Sequence, residues 1–244
     1  MDEDTNPPNE KFELPIKIIL TFVVALIITL VVIAKWRKKK FIGQTILLTG
    51  LSDAGKTLIH SRLVHSKFVE TYTSVKENIG EMVINNKTLR IVALPGDERL
   101  RYEFFDKYKL AAKAIIFVID SVTFQKNIRD VAEYLYNLLS DIDEVRRLPI
   151  LILCNKQDQT MAKGHSVIKS LLEKEMNLLK LTKPNQLETM DASFKNTLLG
   201  KHSKDFQFHQ LNSKVKFAES SAFVKDPETP PQMTALQEWL ESVA

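Results

Sequence analysis

Gly50-Leu51-Ser52-Asp53-Ala54-Gly55-Lys56-Thr57 fits the pattern G-x-x-x-x-G-K-[ST] and directly follows a strand-like stretch, Thr45-Ile46-Leu47-Leu48-Thr49. In a strand–loop–helix setting, successive backbone N–H groups of such a loop converge on a phosphate. Lys56 supplies a mobile positive charge, and the Thr57 hydroxyl can ligate Mg²⁺. A helix beginning at Lys56 points its positive dipole end at the same place. The chain has only seven glycines, and two of them stand at the required positions. Residues 50–58, ending on Leu58, therefore read as the phosphate cradle of a nucleotide-binding protein.

Beyond Phe41, short apolar runs alternate with helical patterns, which predicts an α/β fold with a doubly wound sheet. Strands are expected at 44–49, 79–85, 88–93, 114–120, 149–154 and 214–219, giving six strands in a mostly parallel sheet. Asn85-Asn86-Lys87 signals a turn and hence one antiparallel hairpin. Ala114–Ile119 and Pro149–Leu153 are almost wholly apolar, as strands covered on both faces must be. Val131, Leu135, Leu138, Leu139 and Ile142 share one helix face, as do Leu236, Trp239, Leu240 and Val243; both stripes read as core. Between 181 and 213 the sequence is polar, carries Pro184 and Gly200, and loses periodicity, so a long insertion or loop is expected there.

Ile16 to Ala34 is an apolar run whose single charge, Lys17, lies at its start. As a helix it would be about 28 Å long, matching the hydrocarbon thickness of a bilayer. The acidic stretch before it and the absence of a small-x-small cleavage site exclude a signal peptide. Lys35, Arg37, Lys38, Lys39 and Lys40 follow, so the positive-inside rule places the C-terminal side in the cytosol. The expected organisation is a luminal tail (1–13), a single-pass transmembrane helix (14–35), a basic linker (36–43) and a nucleotide-binding domain (44–244).

Of the net charge of +4, residues 1–34 contribute −3 and residues 35–40 contribute +5, leaving +2 on the domain. That is no nucleic-acid footprint. The single Cys154 excludes a disulfide framework and, within an apolar strand, reads as core filler.

Asn155-Lys156-Gln157-Asp158 selects among the nucleotide-binding classes. It closes the apolar strand 149–154, at the carboxyl edge of the sheet where such folds bind ligands. A carboxylate there, Asp158, can accept from both N1–H and the 2-amino group of guanine, whereas adenine presents the wrong pattern. Asn155 and the Lys156 stem would brace the base and the phosphate loop.

This N-K-x-D spacing after a phosphate loop resembles the Ras-like GTPase superfamily. The resemblance implies GTP and Mg²⁺ as ligands and assigns further residues. Ser221 and Ala222, in Glu219-Ser220-Ser221-Ala222, look like the short loop whose backbone N–H meets the guanine carbonyl. Thr71-Tyr72-Thr73-Ser74 falls at the first switch, with Thr73 joining Thr57 on Mg²⁺. Gly96, in Leu94-Pro95-Gly96, falls at the second switch and offers its N–H to the γ-phosphate. No catalytic residue is assigned. The usual Asp-x-x-Gly is here Ala93-Leu94-Pro95-Gly96, and the position that orients the attacking water is Asp97. Weak intrinsic hydrolysis is therefore expected, although Asp97 could equally cap the helix that begins near Glu98.

A Ras-like domain behind an N-terminal anchor, with no lipidation motif, is similar to the signal recognition particle receptor β-subunit family. The likeness extends to Leu94-Pro95-Gly96-Asp97-Glu98, Phe117-Val118-Ile119-Asp120-Ser121, Asp130-Val131-Ala132-Glu133-Tyr134-Leu135-Tyr136 and Glu238-Trp239-Leu240. It implies a subunit of the endoplasmic reticulum membrane that holds the receptor α subunit through a GTP-bound switch face. Ribosomes carrying secretory chains would then dock at the translocon. Two other readings remain open: an active membrane-anchored GTPase cycling in vesicle traffic, and a nucleotide-locked scaffold.

Overall fold

A computed structural model describes residues 19–30, 43–145, 147–187, 205–211, 213–224 and 230–244. The chain divides into two compact units, residues 1–42 and 43–244. In the first, residues 19–30 form a helix, α1, whose side chains are exposed. Among the described residues no helix is long and apolar enough to cross a membrane; the remainder of the expected span 14–35, the tail 1–13 and most of the linker 36–43 lie outside them.

The second unit is a six-stranded sheet flanked by helices, and it confirms the expected doubly wound α/β class. Strands β1 (Thr45–Thr49), β2 (Asn78–Ile84), β3 (Lys87–Ala93), β4 (Ala112–Asp120), β5 (Ile150–Asn155) and β6 (Val215–Glu219) lie in the order β2-β3-β1-β4-β5-β6. Only β2 runs antiparallel to its neighbour. Asn85 and Asn86 make the β2–β3 turn with φ of 51° and 61°, the left-handed pair that a two-residue hairpin needs. Each strand departs from its expected bounds by a residue or two, and the shift matters at β5, which ends on Asn155 itself.

Alternate side chains of each central strand serve opposite faces. Leu47, Ile115, Phe117 and Ile152 pack with helices α3 (Glu98–Lys109), α4 (Ile128–Val145) and α5 (His165–Leu187). Ile46, Leu48, Ile116 and Val118 pack with α2 (Lys56–His65) and α6 (Thr234–Val243). Cys154 is buried among the first set, and burial pushes its thiol up to about 12, as suits a core side chain.

The expected insertion at 181–213 is corrected at both ends. Helix α5 continues through Pro184 to Leu187, because Ile168, Leu172 and Met176, all 0% exposed, recur at four-residue spacing and lock its preceding turns to the core. After residues 188–204, which are not described, Phe206 and Phe208 re-enter the same core. Their rings meet edge to face at 5.2 Å, and the Phe208 N–H donates to Glu173 Oε1 at 3.1 Å.

Candidate functional site

A cleft of about 410 Å³ opens at the carboxyl ends of β1, β3, β5 and β6. Its walls contain most of the residues singled out in the sequence: Ser52, Asp53, Gly55, Lys56, Thr57, Leu58, Thr71, Tyr72, Thr73, Ser74, Gly96, Asn155, Lys156 and Asp158. Gly50, Leu51, Ala54, Ser221 and Ala222 stand behind the wall as its frame. Ala54 is buried in the core, and the Leu51 carbonyl accepts from Lys56 Nζ at 2.7 Å.

The loop after β1 owes its course to left-handed backbone at Gly50, Asp53 and Gly55. At Gly55, φ is 92° and a Cβ would collide with the Asn155 side-chain amide, so only glycine lets the two loops close together. Gly55 precedes α2 with no side chain capping the helix, so its first N–H groups are left for a ligand. Lys56 is 7% exposed, and burial lowers its pKa to about 8, only partly countered by the Asp53 carboxylate. A buried ammonium held by a neutral carbonyl beside an uncapped helix start fits a phosphate chain, which would supply the missing negative charge.

The two switch segments sit close to this loop. Thr57 Oγ1 lies 3.1 Å from Ser74 Oγ, and Ser74 Oγ accepts from Asn78 Nδ2 at 3.2 Å. Ser74, rather than Thr73, is thus the first-switch hydroxyl placed beside Thr57. Gly96 packs directly on the phosphate loop, where a Cβ would come within 2.6 Å of both the Leu51 carbonyl carbon and Lys56 Nζ. Ala93 ends β3 at 1% exposure. The Asp97 carboxylate turns away to cap α3, accepting from the Arg99 N–H at 2.9 Å, and it does not line the cleft. Asp97 thus takes the helix-capping role that its place before Glu98 suggested.

The base end is built around Asn155, which is 2% exposed. Its Nδ2 donates to the Ala54 carbonyl at 2.9 Å, and its Oδ1 accepts from Ser220 Oγ at 3.2 Å and from the Ala222 N–H at 3.3 Å. Asp158 faces the cleft with Oδ1 held by the Ser221 hydroxyl at 2.7 Å. The Ser221 N–H donates to the Gln232 carbonyl at 2.9 Å. The Ser-Ala pair thus also positions Asn155 and Asp158, through the Ala222 N–H and the Ser221 hydroxyl. Gln157 points elsewhere, its amide donating to Ser121 Oγ and the Lys163 carbonyl, each at 3.0 Å.

Sequence reasoning passed over four residues here. Asp120, at the end of β4, pairs with Lys156 Nζ at 2.7 Å and so fixes that lysine stem. Burial opposes ionisation of Asp120, but the Lys156 ammonium and the Val122 N–H outweigh it and hold the carboxyl below the usual range. A carboxylate at a strand end beside the cleft was a readable signal. Leu94, Gln159 and Phe223 also line the cleft. Leu94 and Gln159 adjoin recognised motifs, whereas Phe223 follows the Ser-Ala pair where no spacing rule called for an aromatic.

A family model described as signal recognition particle receptor beta subunit matches residues 42–215. The signal recognition particle receptor subunit beta of Mus musculus is 37% identical over 235 residues, covering 93% of this chain and 87% of that protein. The solved structure of the mammalian SRP receptor superposes with a TM-score of 0.71 at 37% identity, over 82% of this chain and 100% of that one. The signal recognition particle receptor SRb-GTP/SRX complex from Chaetomium thermophilum superposes with a TM-score of 0.67 over 81% of this chain and 99% of that chain, and at 19% identity it bears on the fold alone. A phosphate loop keyed through Asn155 to an N-K-x-D strand end, on this sheet order and with these relatives, leads to one assignment. The chain belongs to the signal recognition particle receptor beta-subunit family, within the GTPase superfamily.

Proposed function

We propose that this chain binds GTP with Mg²⁺ and serves as the membrane-anchoring subunit that holds the receptor α subunit at the endoplasmic reticulum for co-translational targeting. The observation that carries the reading is the joining of phosphate loop and base loop through Asn155 and Ala54 around a cleft containing Lys56 and Asp158. Lys56 and the N-terminus of α2 would hold the phosphates, and Asp158 would read the guanine edge. Thr57, with Thr73 from the first switch, would hold Mg²⁺, whose charge would offset that of the phosphates.

The anchor would be residues 14–35. In the part that is described, the Thr29 hydroxyl donates to the Ala25 and Leu26 carbonyls at 2.9 and 2.8 Å, which satisfies a polar group that hydrocarbon could not. The positive-inside rule gives a luminal N-terminus and a cytosolic domain. Hydrolysis is expected to be slow: Ala93 brings no carboxylate to the metal side, and Asp97 is engaged as a helix cap. Ribosome and translocon would be reached through the α subunit.

The test is to purify the full chain in detergent, extract its bound nucleotide with acid, and measure α-subunit capture after loading with GTP, GDP or nothing. Guanine nucleotide and GTP-favoured capture are expected. Adenine nucleotide would overturn the binding assignment, whereas equal capture in all three states would favour a nucleotide-locked scaffold.

A further inference from the structure

Arg101 is a cation only 6% exposed, one turn into α3. Its backbone N–H donates to the Asp97 carbonyl at 2.9 Å, so it stands on the helical turn that follows Gly96. Burying a guanidinium costs free energy that a close ion pair usually offsets. Among the described residues its carboxylate partner is Glu98, 3.8 Å from Nη2 and with an 83% exposed side chain, and its Nε has no hydrogen-bond partner. The charge is met instead by two rings: the guanidinium carbon lies 4.6 Å from the Tyr134 centroid and 5.1 Å from the Tyr102 centroid.

Tyr134 belongs to α4 and is 0% exposed. Its ring meets Tyr102 edge to face at 5.5 Å and Phe117 of β4 at 5.5 Å, and Tyr102 Oη accepts from Asn137 Nδ2 at 3.0 Å, so the guanidinium sits in a seam that joins α3 to α4. At its far end the Tyr134 hydroxyl shares a hydrogen bond with Thr49 Oγ1. Thr49 is the last residue of β1, wholly buried, and the next residue is Gly50 of the phosphate loop. Burial pushes the phenol up to about 12, so it keeps its proton, and that bond, at neutral pH. Tyr134 therefore meets the entry to the phosphate loop with its hydroxyl and the second-switch helix with its ring.

We propose that Arg101 is a positioning residue for the third phosphate: stacked on Tyr134, it ties the turn after Gly96 to the start of the phosphate loop and so fixes where Gly96 lies relative to a γ-phosphate. The proposal rests on the guanine-nucleotide reading above and deepens it. Gly96 packs so closely on the loop that a Cβ there would come within 2.4 Å of the Ser52 nitrogen, so a small shift of α3 opens or closes the gap that a γ-phosphate would enter. A cation on a ring face is held in distance but little in direction, whereas a bidentate ion pair fixes both. The first turn of α3 is thereby seated on α4 and still able to slide along it as a third phosphate draws Gly96 in. GDP brings no group to Gly96, so the seat matters to GTP alone.

The experiment uses the full chain in detergent, stripped of nucleotide, with GDP, a non-hydrolysable GTP analogue and inorganic tripolyphosphate titrated by calorimetry. Arg101→Met occupies similar space without charge and should cut the ratio of GTP-analogue to GDP affinity about tenfold, with GDP affinity held within about threefold. Its ligand-free thermal midpoint should not fall, because Glu98 is exposed and no unpaired charge is left buried. Arg101→Lys keeps a cation on the ring and should lie between Arg101→Met and the wild type. Tyr134→Phe keeps the ring but loses the Thr49 bond, and it should weaken GDP, the GTP analogue and tripolyphosphate alike, by about three- to tenfold. An unchanged affinity ratio in Arg101→Met would overturn the proposal, and a lowered midpoint in that case would mark Arg101 as core packing alone. Equal weakening of both nucleotides by Arg101→Met would also overturn it, since that marks damage to the phosphate loop. A wild-type chain that binds tripolyphosphate but no guanine nucleotide would instead remove the underlying reading.

Discussion

The Asn155 side-chain amide donates to the Ala54 carbonyl at 2.9 Å, joining loops that lie 101 residues apart in the chain. The same side chain receives the Ser220 hydroxyl and the Ala222 N–H on its oxygen, so one residue keys three loops together. Its position follows from the sheet: β5 pairs with β4 through Asp120↔Asn155, which delivers Asn155 to the edge beside the loop after β1. Asn155→Ala should therefore act on stability as well as on binding. Each buried group left unpaired costs about 1–3 kcal/mol, so a denaturant midpoint shifted downwards together with weaker GDP binding is expected. Loss of binding at unchanged stability would place Asn155 on the ligand instead of between the loops.

On the proposed reading base choice would rest on Asp158, whose carboxylate is oriented by Ser221 and by Gln159 Nε2 at 2.9 Å. Asp158→Asn exchanges an acceptor for a donor and should turn preference from guanine to xanthine nucleotide. Competition binding with GDP, xanthosine diphosphate and ADP measures it. ADP competing as well as GDP against the wild-type protein would refute the assignment.

Lys56 gives a pH signature. Its folded pKa of about 8 lies below the ordinary value of 10.5, so the unfolded chain binds more protons between those two values. Ligand-free stability should therefore rise as pH increases from 8 to 10.5, and below pH 8 the buried charge carries its full penalty, of order 3 kcal/mol. A phosphate would restore the charged form, so GDP binding near pH 9 should take up protons, visible as a buffer-dependent enthalpy. Lys56→Met should abolish that uptake, stabilise the ligand-free protein at pH 7 and lose nucleotide affinity. Proton release on binding would reverse the argument.

How far the sequence carried depended on the kind of signal. Strands β4 and β5 were legible because covering both faces demands unbroken apolar runs, and the Asn85-Asn86 turn because its backbone favours asparagine. Phe206 and Phe208 were missed because a short irregular stretch and the three-residue 3-10 helix Phe208–Gln210 after it have no period to detect. The loop expected from 181 overlaps the end of α5 because Pro184 reads as a helix breaker, whereas the helix runs on to Leu187. The bonds by which Ser221 and Ala222 hold Asp158 and Asn155 were illegible for another reason. A motif names the residues at a site, but which of them face the ligand depends on hydrogen bonds between loops distant in sequence.

The switch prediction turns on two neighbouring hydroxyls. Ser74 Oγ lies within hydrogen-bond distance of Thr57 Oγ1, so in this arrangement the hydroxyl expected to ligate Mg²⁺ is already partnered. Thr73 lines the cleft beside it. Exchange of the Thr57–Ser74 contact for a Thr57–metal and Thr73–metal arrangement would draw residues 71–74 inward and reshape the face presented to the α subunit. Ser74→Ala removes the competing contact and should lower the Mg²⁺ concentration needed for GTP binding, with tripolyphosphate affinity unchanged in the absence of metal. Thr73→Ala should keep GDP affinity and lose most of the GTP-over-GDP difference in α-subunit capture. If Thr73→Ala captures like the wild type while Ser74→Ala loses the nucleotide preference, Ser74 is the switch hydroxyl and the sequence-based choice of Thr73 falls.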